Sequence, residues 1–191
     1  MGFDESLARL ASILVAGKIP YMIIGGQAVL QYGEARLTKD VDVTLGVDID
    51  QYKTIIALLK DKGFRLLSDS PEQFVKRTNV LPFAEKKSGV RVDMIFSDSE
   101  YERTAINRAK KIRIGGRTVS FAAIEDVVIQ KLVANRPRDL EDVAGILAHR
   151  PKMDREYLVG WLKDFEAIVD HKVLHIFETL EKNSSIHHYK H

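Results

Sequence analysis

The spacing at which hydrophobic residues recur changes along the 191 residues of the chain. Near the N-terminus leucines recur at helical spacing, and this stripe predicts a helix over 4–16. Short apolar runs bounded by glycine, proline and polar residues follow, and such runs are typical of strands. Beyond residue 122 the pattern is helical, with Pro137 and Pro151 at the breaks. The pattern therefore predicts an N-terminal part that mixes strands and helices and a C-terminal part that is helical.

The predicted elements divide the chain into three parts. We expect a strand–helix domain over 1–120, a helical region over 121–182 packed on it, and a flexible tail over 183–191. This order of elements predicts an α/β (α+β) fold. The predicted strands are 21–24, 39–45, 64–67, 80–83, 90–96, 111–114 and 117–119. The predicted helices are 4–16, 27–32, 48–62, 99–109, 122–134, 138–149 and 154–182, and 71–77 is either a short polar helix or a loop.

The composition excludes several classes of protein and site. Hydrophobic residues make up 45% of the chain and charged residues 29%, which are ordinary values for a soluble globular protein. The absence of cysteine excludes disulfides, thiol nucleophiles and zinc–thiolate sites, and it fits a reducing compartment. No apolar run approaches the roughly 20 residues that a membrane span needs, and the N-terminus lacks the order of a signal peptide. We therefore expect a cytoplasmic protein with no membrane partner.

Positive charge is concentrated in one segment, although the net charge is only +2. A basic segment can neutralise the phosphates of a nucleic acid, and a solvated surface is the alternative explanation. The basic residues of this segment are Arg103, Arg108, Lys110, Lys111, Arg113 and Arg117.

The densest candidate chemistry lies around the second predicted strand. Alternate side chains of a strand share a face, so Asp40 and Asp42 point the same way. Adjacent carboxylates repel unless a cation lies between them, and Mg²⁺ prefers such oxygen ligands. Upstream, Gly25 and Gly26 lie between an apolar strand and a predicted helix, where a phosphate can approach backbone N–H groups.

A third carboxylate, Asp93, lies in the middle of the strand predicted over 90–96. An unpaired carboxylate buried in such a strand would cost several kcal/mol. If this strand neighbours that of Asp40 and Asp42, three carboxylates converge and could hold two metal ions. The alternative is that Asp93 is paired with Arg91 or another base at a sheet edge.

The glycine pair, the acid–valine–acid triplet and the later isolated acid resemble, in this order, the nucleotidyltransferase superfamily. The resemblance implies a polymerase-β-like fold with a mixed sheet, an NTP substrate and two Mg²⁺ ions, with Mn²⁺ as an alternative. By this resemblance the domain over 1–120 is the catalytic domain. The catalytic and metal-binding residues would be Asp40, Asp42 and Asp93, and the residues near the nucleotide would be Gly25, Gly26, Arg36 and Thr38.

A second set of motifs lies on the helices over 124–143 and resembles the AbiEii-type branch of the superfamily, which includes toxins of toxin–antitoxin systems. The resemblance implies a toxin role with a cognate antitoxin, although the chain is shorter than typical toxins of this branch. It also implies that Lys131 places its charge against a phosphate, with Arg138 and Asp139 as an ion pair that orients it. Otherwise Lys131 is a solvated helix lysine. The residues that carry the resemblance are Lys131, Arg136, Arg138, Asp139 and Asp142.

These observations predict a Mg²⁺-dependent nucleotidyltransferase. The enzyme would move a nucleoside monophosphate from an NTP to a hydroxyl acceptor such as an RNA or tRNA 3′ end, with 103–117 holding the RNA backbone. Two alternatives stay open at this point. One is a non-catalytic binding or regulatory module with this fold, and the other is nucleotidylation of a protein or small molecule.

Overall fold

The computed structural model describes residues 2–33, 38, 40–97 and 99–186. The strands are β1 (Tyr21–Ile24), β2 (Asp40–Leu45), β3 (Phe64–Leu66), β4 (Val80–Glu85), β5 (Arg91–Phe96), β6 (Lys110–Ile114) and β7 (Arg117–Phe121). The helices are α1 (Phe3–Ala16), α2 (Gly25–Val29), α3 (Tyr52–Lys60), α4 (Pro71–Thr78), α5 (Glu100–Arg108), α6 (Ile124–Ala134), α7 (Pro137–Ala148), α8 (Arg155–Glu166) and α9 (Val173–Ile186). A turn of 3-10 helix, Ile49–Gln51, precedes α3.

The strands within the described residues form one mixed sheet in the order β3-β4-β5-β2-β1-β7-β6. The pairs β2–β5 and β1–β7 are parallel, and the other neighbouring pairs are antiparallel. This confirms the predicted fold class: a mixed sheet of the polymerase-β-like kind followed by C-terminal helices.

One predicted helix, 154–182, is wrong, because the chain forms two helices there with a turn after Glu166. The imidazole of His171, in the connecting segment, lies 3.0 Å from the carbonyl oxygen of Leu132, which fixes this segment. The helices then pack side by side, with the Arg155 guanidinium 2.7 Å from the Glu181 carboxylate. Helix α9 continues to Ile186, so the first part of the predicted tail is helical, and 187–191 lie outside the described residues.

The chain divides into two compact units. Among the described residues, the first unit contains 2–28 and 38–122, and the second contains 29–33 and 123–186. The second unit holds α6 to α9, and its buried apolar side chains include Val127, Leu132, Val143, Leu158 and Phe177. No helix in the described ranges is both long and apolar enough to cross a membrane.

The two faces of the sheet differ in chemistry. In β2 and β5 the side chains of one face are buried and apolar, whereas the opposite face carries acids and an arginine. We name the first the apolar face and the second the carboxylate face. The apolar face includes Val41, Val43, Leu45, Val92, Met94 and Phe96, and the carboxylate face includes Asp40, Asp42, Thr44, Arg91, Asp93 and Ile95.

Helix α1 is attached to the apolar face through a buried carboxylate on β4. The Glu85 side chain is fully buried, and it accepts hydrogen bonds from Ser6 (2.7 Å) and Arg9 (2.8 Å) of α1 and from Ser88. Burial raises the pKa of Glu85, but the hydrogen bonds from Ser88, Ser6 and Arg9 outweigh burial and bring the pKa below its usual value. The ionised carboxylate therefore stabilises the folded state.

We predict that Glu85→Gln lowers the free energy of unfolding at pH 7 by about 2 kcal/mol, because hydrogen bonds to a charged group are lost. A depressed pKa contributes stability above the unfolded-state pKa, and this contribution disappears as the pH falls through the folded-state pKa. The difference between the two proteins should therefore narrow below pH 4.5, the ordinary pKa of a glutamate. Urea denaturation at several pH values measures this difference in the free energy of unfolding. The solvent-exposed Glu72→Gln is the control, and an equal loss in both variants would contradict the account.

Candidate active site

The strands β2 and β5 bring the three predicted catalytic carboxylates to one face. The two strands are parallel neighbours, and Asp42 pairs in register with Asp93. Residues paired across strands share a face, and Asp40 lies two positions from Asp42 on that same face. The two strands are neighbours, as the sequence predicts, and the three acids share one face. Metal binding by these acids stays a prediction. Asp40 is exposed, and Asp42 and Asp93 are half-buried, so solvent reaches the group.

Arg91 lies within the carboxylate face and neutralises part of its charge. Its Nε donates to Asp93, at 3.1 Å from Oδ1 and 3.3 Å from Oδ2. Arg91 also pairs in register with Asp40, so both residues lie on the carboxylate face. The alternative raised by the sequence, an Asp93–Arg91 pair, is therefore present. Within the described ranges, no group of three or more acidic or histidine side chains is arranged to hold a metal ion.

Gly25 brings the end of β1 against the Asp42 carboxylate. Its φ is +62°, and a Cβ atom there would lie 2.1 Å from Oδ2 and 3.0 Å from Cγ of Asp42. Any side chain at this position would therefore displace the carboxylate, and φ itself favours glycine. The sequence indicated a phosphate-binding role for the glycine pair, and the structure adds a direct contact with a predicted metal ligand.

The other residues predicted to bind the nucleotide are placed as follows. Gly26 is buried in α2. The carbonyl oxygen of Thr38 accepts a hydrogen bond of 3.3 Å from the buried Gln27 amide, which holds Thr38 beside α2. Arg36 lies outside the described residues, so its predicted role stays a prediction.

Lys131 lies in the second unit, where its ammonium is buried between two carboxylates. Its Nζ is 2.7 Å from Asp139 and 2.7 Å from Asp142, and its side chain is 8% exposed. The two acids are three residues apart on α7 and therefore share a face of that helix. Lys131 is therefore not a solvated helix lysine. In the described part of the chain Asp139 pairs with Lys131 and Arg136, and not with Arg138 as expected. A contact between Lys131 and a phosphate stays a prediction.

Arg136 completes this cluster by donating to the other oxygen of Asp139 at 2.5 Å. Burial raises the pKa of Asp139, but hydrogen bonds from Lys131 and Arg136 outweigh burial and hold the pKa below its usual value. Arg138, the other arginine of the motif, is exposed.

The family of this chain follows from its match to a family profile. A profile described as "Nucleotidyltransferase of unknown function (DUF6036)" matches residues 3–159, which is most of the chain. The chain belongs to this nucleotidyltransferase family. No curated protein matches it significantly.

Solved structures of other nucleotidyltransferases share the fold. An antigenic nucleotidyltransferase-like protein from Paracoccidioides brasiliensis has a TM-score of 0.56 and 18% identity, over 75% of this chain and 74% of that chain. The lincosamide antibiotic adenylyltransferase LnuA, bound to lincomycin, has a TM-score of 0.52 and 13% identity, over 74% of this chain and 94% of that chain. Identities this low establish the fold and leave the substrate open.

A nucleotidyltransferase toxin, MenT4 from Mycobacterium tuberculosis, is also similar. Its TM-score is 0.49 at 14% identity, over 81% of this chain and 60% of that chain. This likeness is too low to bear on the function of the present nucleotidyltransferase.

Sequence reasoning missed a buried polar cluster in the second unit of the nucleotidyltransferase. The sequence predicts that Glu125, Asp126 and Asp142 cap their helices or face solvent. Instead, Glu125 and Asp126 are buried and Asp142 pairs with Lys131. Glu125 accepts from the backbone N–H of Asp154 at 2.7 Å, and Asp126 accepts from the Tyr157 hydroxyl at 2.7 Å. The pKa of Tyr32 is raised to about 12, first because its side chain is buried and then because Glu125 and Asp126 carry negative charge. The apolar residues that flank these acids in the sequence were the one signal that could have indicated their burial.

We predict that Gly25→Ala destabilises the nucleotidyltransferase by about 1–3 kcal/mol more than Gly89→Ala, because the new methyl group meets the Asp42 carboxylate. Gly89 is a matched control, since its φ is also positive (+73°) but no atom lies within 4 Å of the position that a Cβ would take there. Urea denaturation of both variants gives the comparison. Equal losses of stability in the two variants would show that the contact with Asp42 does not constrain residue 25.

We also predict that Lys131→Met lowers the free energy of unfolding by about 3–5 kcal/mol. The substitution removes the buried ammonium between Asp139 and Asp142, whereas Asp139 keeps its contact with the exposed Arg136. The control is Lys163→Met on α8, where the lysine is exposed. The pKa of Asp139, followed by NMR, should rise in Lys131→Met. A variant as stable as Lys163→Met would contradict the account of the cluster.

Proposed function

We propose that this protein transfers a nucleoside monophosphate from an NTP to a hydroxyl acceptor and releases pyrophosphate. The observation that carries the proposal is the register of β2 and β5, which aligns Asp42 with Asp93 beside Gly25. Membership of a nucleotidyltransferase family supports it independently.

The donor set suits a hard divalent cation. The carboxylate face offers oxygen ligands from two adjacent strands, which is the ligand type that Mg²⁺ or Mn²⁺ takes. Asp40, Asp42 and Asp93 would hold Mg²⁺, and Asp93 would first have to release Arg91. When bound, Mg²⁺ supplies charge neutralisation for the phosphate oxygens.

The chain's own residues have the following proposed roles. Asp93 accepts the proton of the acceptor hydroxyl, whose oxygen forms a bond to the α-phosphorus while the bond to pyrophosphate breaks. Gly25 and Gly26 let the triphosphate approach the backbone, and Arg36 and Thr38 would contact a phosphate or order the loop. Arg91, released from Asp93, is available to a phosphate oxygen.

For the acceptor we propose an RNA 3′ end, such as that of a tRNA. The strand pairings extend the carboxylate face from Asp42 through Ile24 of β1 to Ser120 and then Lys111 of β6. Lys111 and Arg113 therefore share the face of the acids, whereas Lys110 points to the apolar face. Exposed cations on the same face as the carboxylates can hold a phosphate backbone.

The resemblance to the AbiEii-type branch extends the proposal to a toxin that a cognate antitoxin neutralises. Growth arrest on induced expression, relieved by a neighbouring gene product, would support that role. Two alternatives remain as outcomes of the assay below: a non-catalytic module, and nucleotidylation of a protein or small molecule.

We predict that Asp42→Asn reduces label transfer from α-phosphate-labelled NTPs by at least about 100-fold, because the proposed metal ligand loses its charge. Each of the four NTPs is incubated with Mg²⁺ and with RNA, protein or small-molecule fractions. The exposed Asp50→Asn is the control and should keep full activity. Full labelling by Asp42→Asn would remove the proposed site, and no labelling or Mg–NTP binding by the native protein would favour the non-catalytic module.

We predict that Lys111→Glu with Arg113→Glu weakens RNA binding by about tenfold or more and lowers its salt dependence, since two phosphate contacts are lost. Lys110→Glu is the control on the opposite face of the same strand and should have a much smaller effect. Binding is measured by fluorescence anisotropy at several salt concentrations. Unchanged RNA affinity in the double variant would count against RNA as the acceptor.

A further inference from the structure

A cleft on the other side of the sheet has no role in the proposed transfer reaction. It lies in the first unit between α1, the end of α3 and the start of β7, and its volume is about 460 Å³. Arg117 shares the apolar face with Val119, because alternate residues of β7 point the same way. The cleft therefore opens on the face opposite Asp40, Asp42 and Asp93.

The walls of the cleft combine positive charge with apolar surface. Basic side chains come from three separate elements, and hydrocarbon surface comes from α1 and α3. Cavities of this size and mixed character are typical of small-molecule sites. The residues that matter for this argument are Arg9, Lys62, Arg117, Ser12, Ile13 and Leu58.

The positive charge of the cleft is only partly compensated. Arg9 is paired with the buried Glu85. Arg117 donates to a neutral partner, the Ser12 hydroxyl, at 2.6 Å. In the described part of the chain, no carboxylate lies within ion-pair distance of Lys62 or Arg117, and none lines this cleft. Asp4 and Glu5 line a separate, smaller cleft of about 370 Å³, to which Arg9 and Arg117 also contribute.

The cleft is also held in shape by the protein itself. Arg9 is fixed between Glu85 at 2.8 Å and the carbonyl oxygen of Lys62. At the floor, a Cβ on Gly17 would lie 2.8 Å from Leu58 Cδ2, so α1 and α3 are in close contact. A site that is already shaped loses less entropy when it binds a ligand.

We propose that this cleft binds an organic anion. Lys62 and Arg117 receive the anionic group, and Ile13 and Leu58 pack against the apolar body of the ligand. Because the cleft and the carboxylates occupy opposite faces of the sheet, this ligand is not the reacting nucleotide. The proposal is independent of the transfer reaction.

The test uses 8-anilinonaphthalene-1-sulfonate, which has a sulfonate on an apolar aromatic body. Fluorescence titration of the full chain should show one saturable site, and Lys62→Gln or Arg117→Gln should weaken binding by about fivefold or more. Lys60→Gln, an exposed lysine of α3 outside the cleft, is the matched control and should bind as the native protein does. Circular dichroism confirms that each variant is folded.

Two further arms identify the chemistry and the place. Neutral N-phenyl-1-naphthylamine, which lacks the sulfonate, should bind at least about fivefold more weakly, and saturating Mg-ATP should not displace the sulfonate probe. The proposal is overturned by the absence of a saturable site, by equal binding of all three variants, by equal binding of the neutral compound, or by displacement with Mg-ATP. None of these outcomes depends on label transfer, so this proposal and the proposed function fail separately.

Discussion

The arrangement of this protein depends on the parallel pairing of β2 with β5. That pairing places Asp42 directly beside Asp93, with Asp40 two residues away on the same face. Like charges on neighbouring strands repel, and such a pairing is destabilising unless positive charge compensates it. Arg91 supplies that charge from within the face, through its contact with Asp93. The sheet thus holds acids together that would otherwise favour separation, and the buried apolar face opposite them holds the strands in register.

The proposed function depends on the side chains that remain accessible to solvent beside this strand pair. The carboxylates are half-buried or exposed, and Gly25 approaches Asp42 so closely that no side chain fits between them. Arg91 compensates one of the three negative charges of this face, and a divalent cation that took its place would compensate two. The chain belongs to a nucleotidyltransferase family, and this membership supports nucleotidyl transfer as the proposed chemistry.

Much of the fold and part of the site could be predicted from the sequence because their signals are local. Alternation in β2 and β5 gave the face of each acid, and glycines and prolines marked most ends of elements. The partners of charged side chains could not be predicted in the same way, because they come from distant parts of the chain. Glu85 with Arg9 is one example, and Lys131 with Asp142 is another. The break between α8 and α9 was missed because no proline or glycine marks it, and tertiary contacts of His171 and Arg155 hold it instead.

The most direct test of this account is a crystal structure with Mg²⁺ and a non-hydrolysable NTP analogue. The account predicts metal at about 2.0–2.1 Å from carboxylate oxygens of both β2 and β5, with Asp93 released from Arg91. The triphosphate should lie beside Gly25. A structure with the nucleotide and metal bound elsewhere, and with Asp93 still on Arg91, would contradict the central claim.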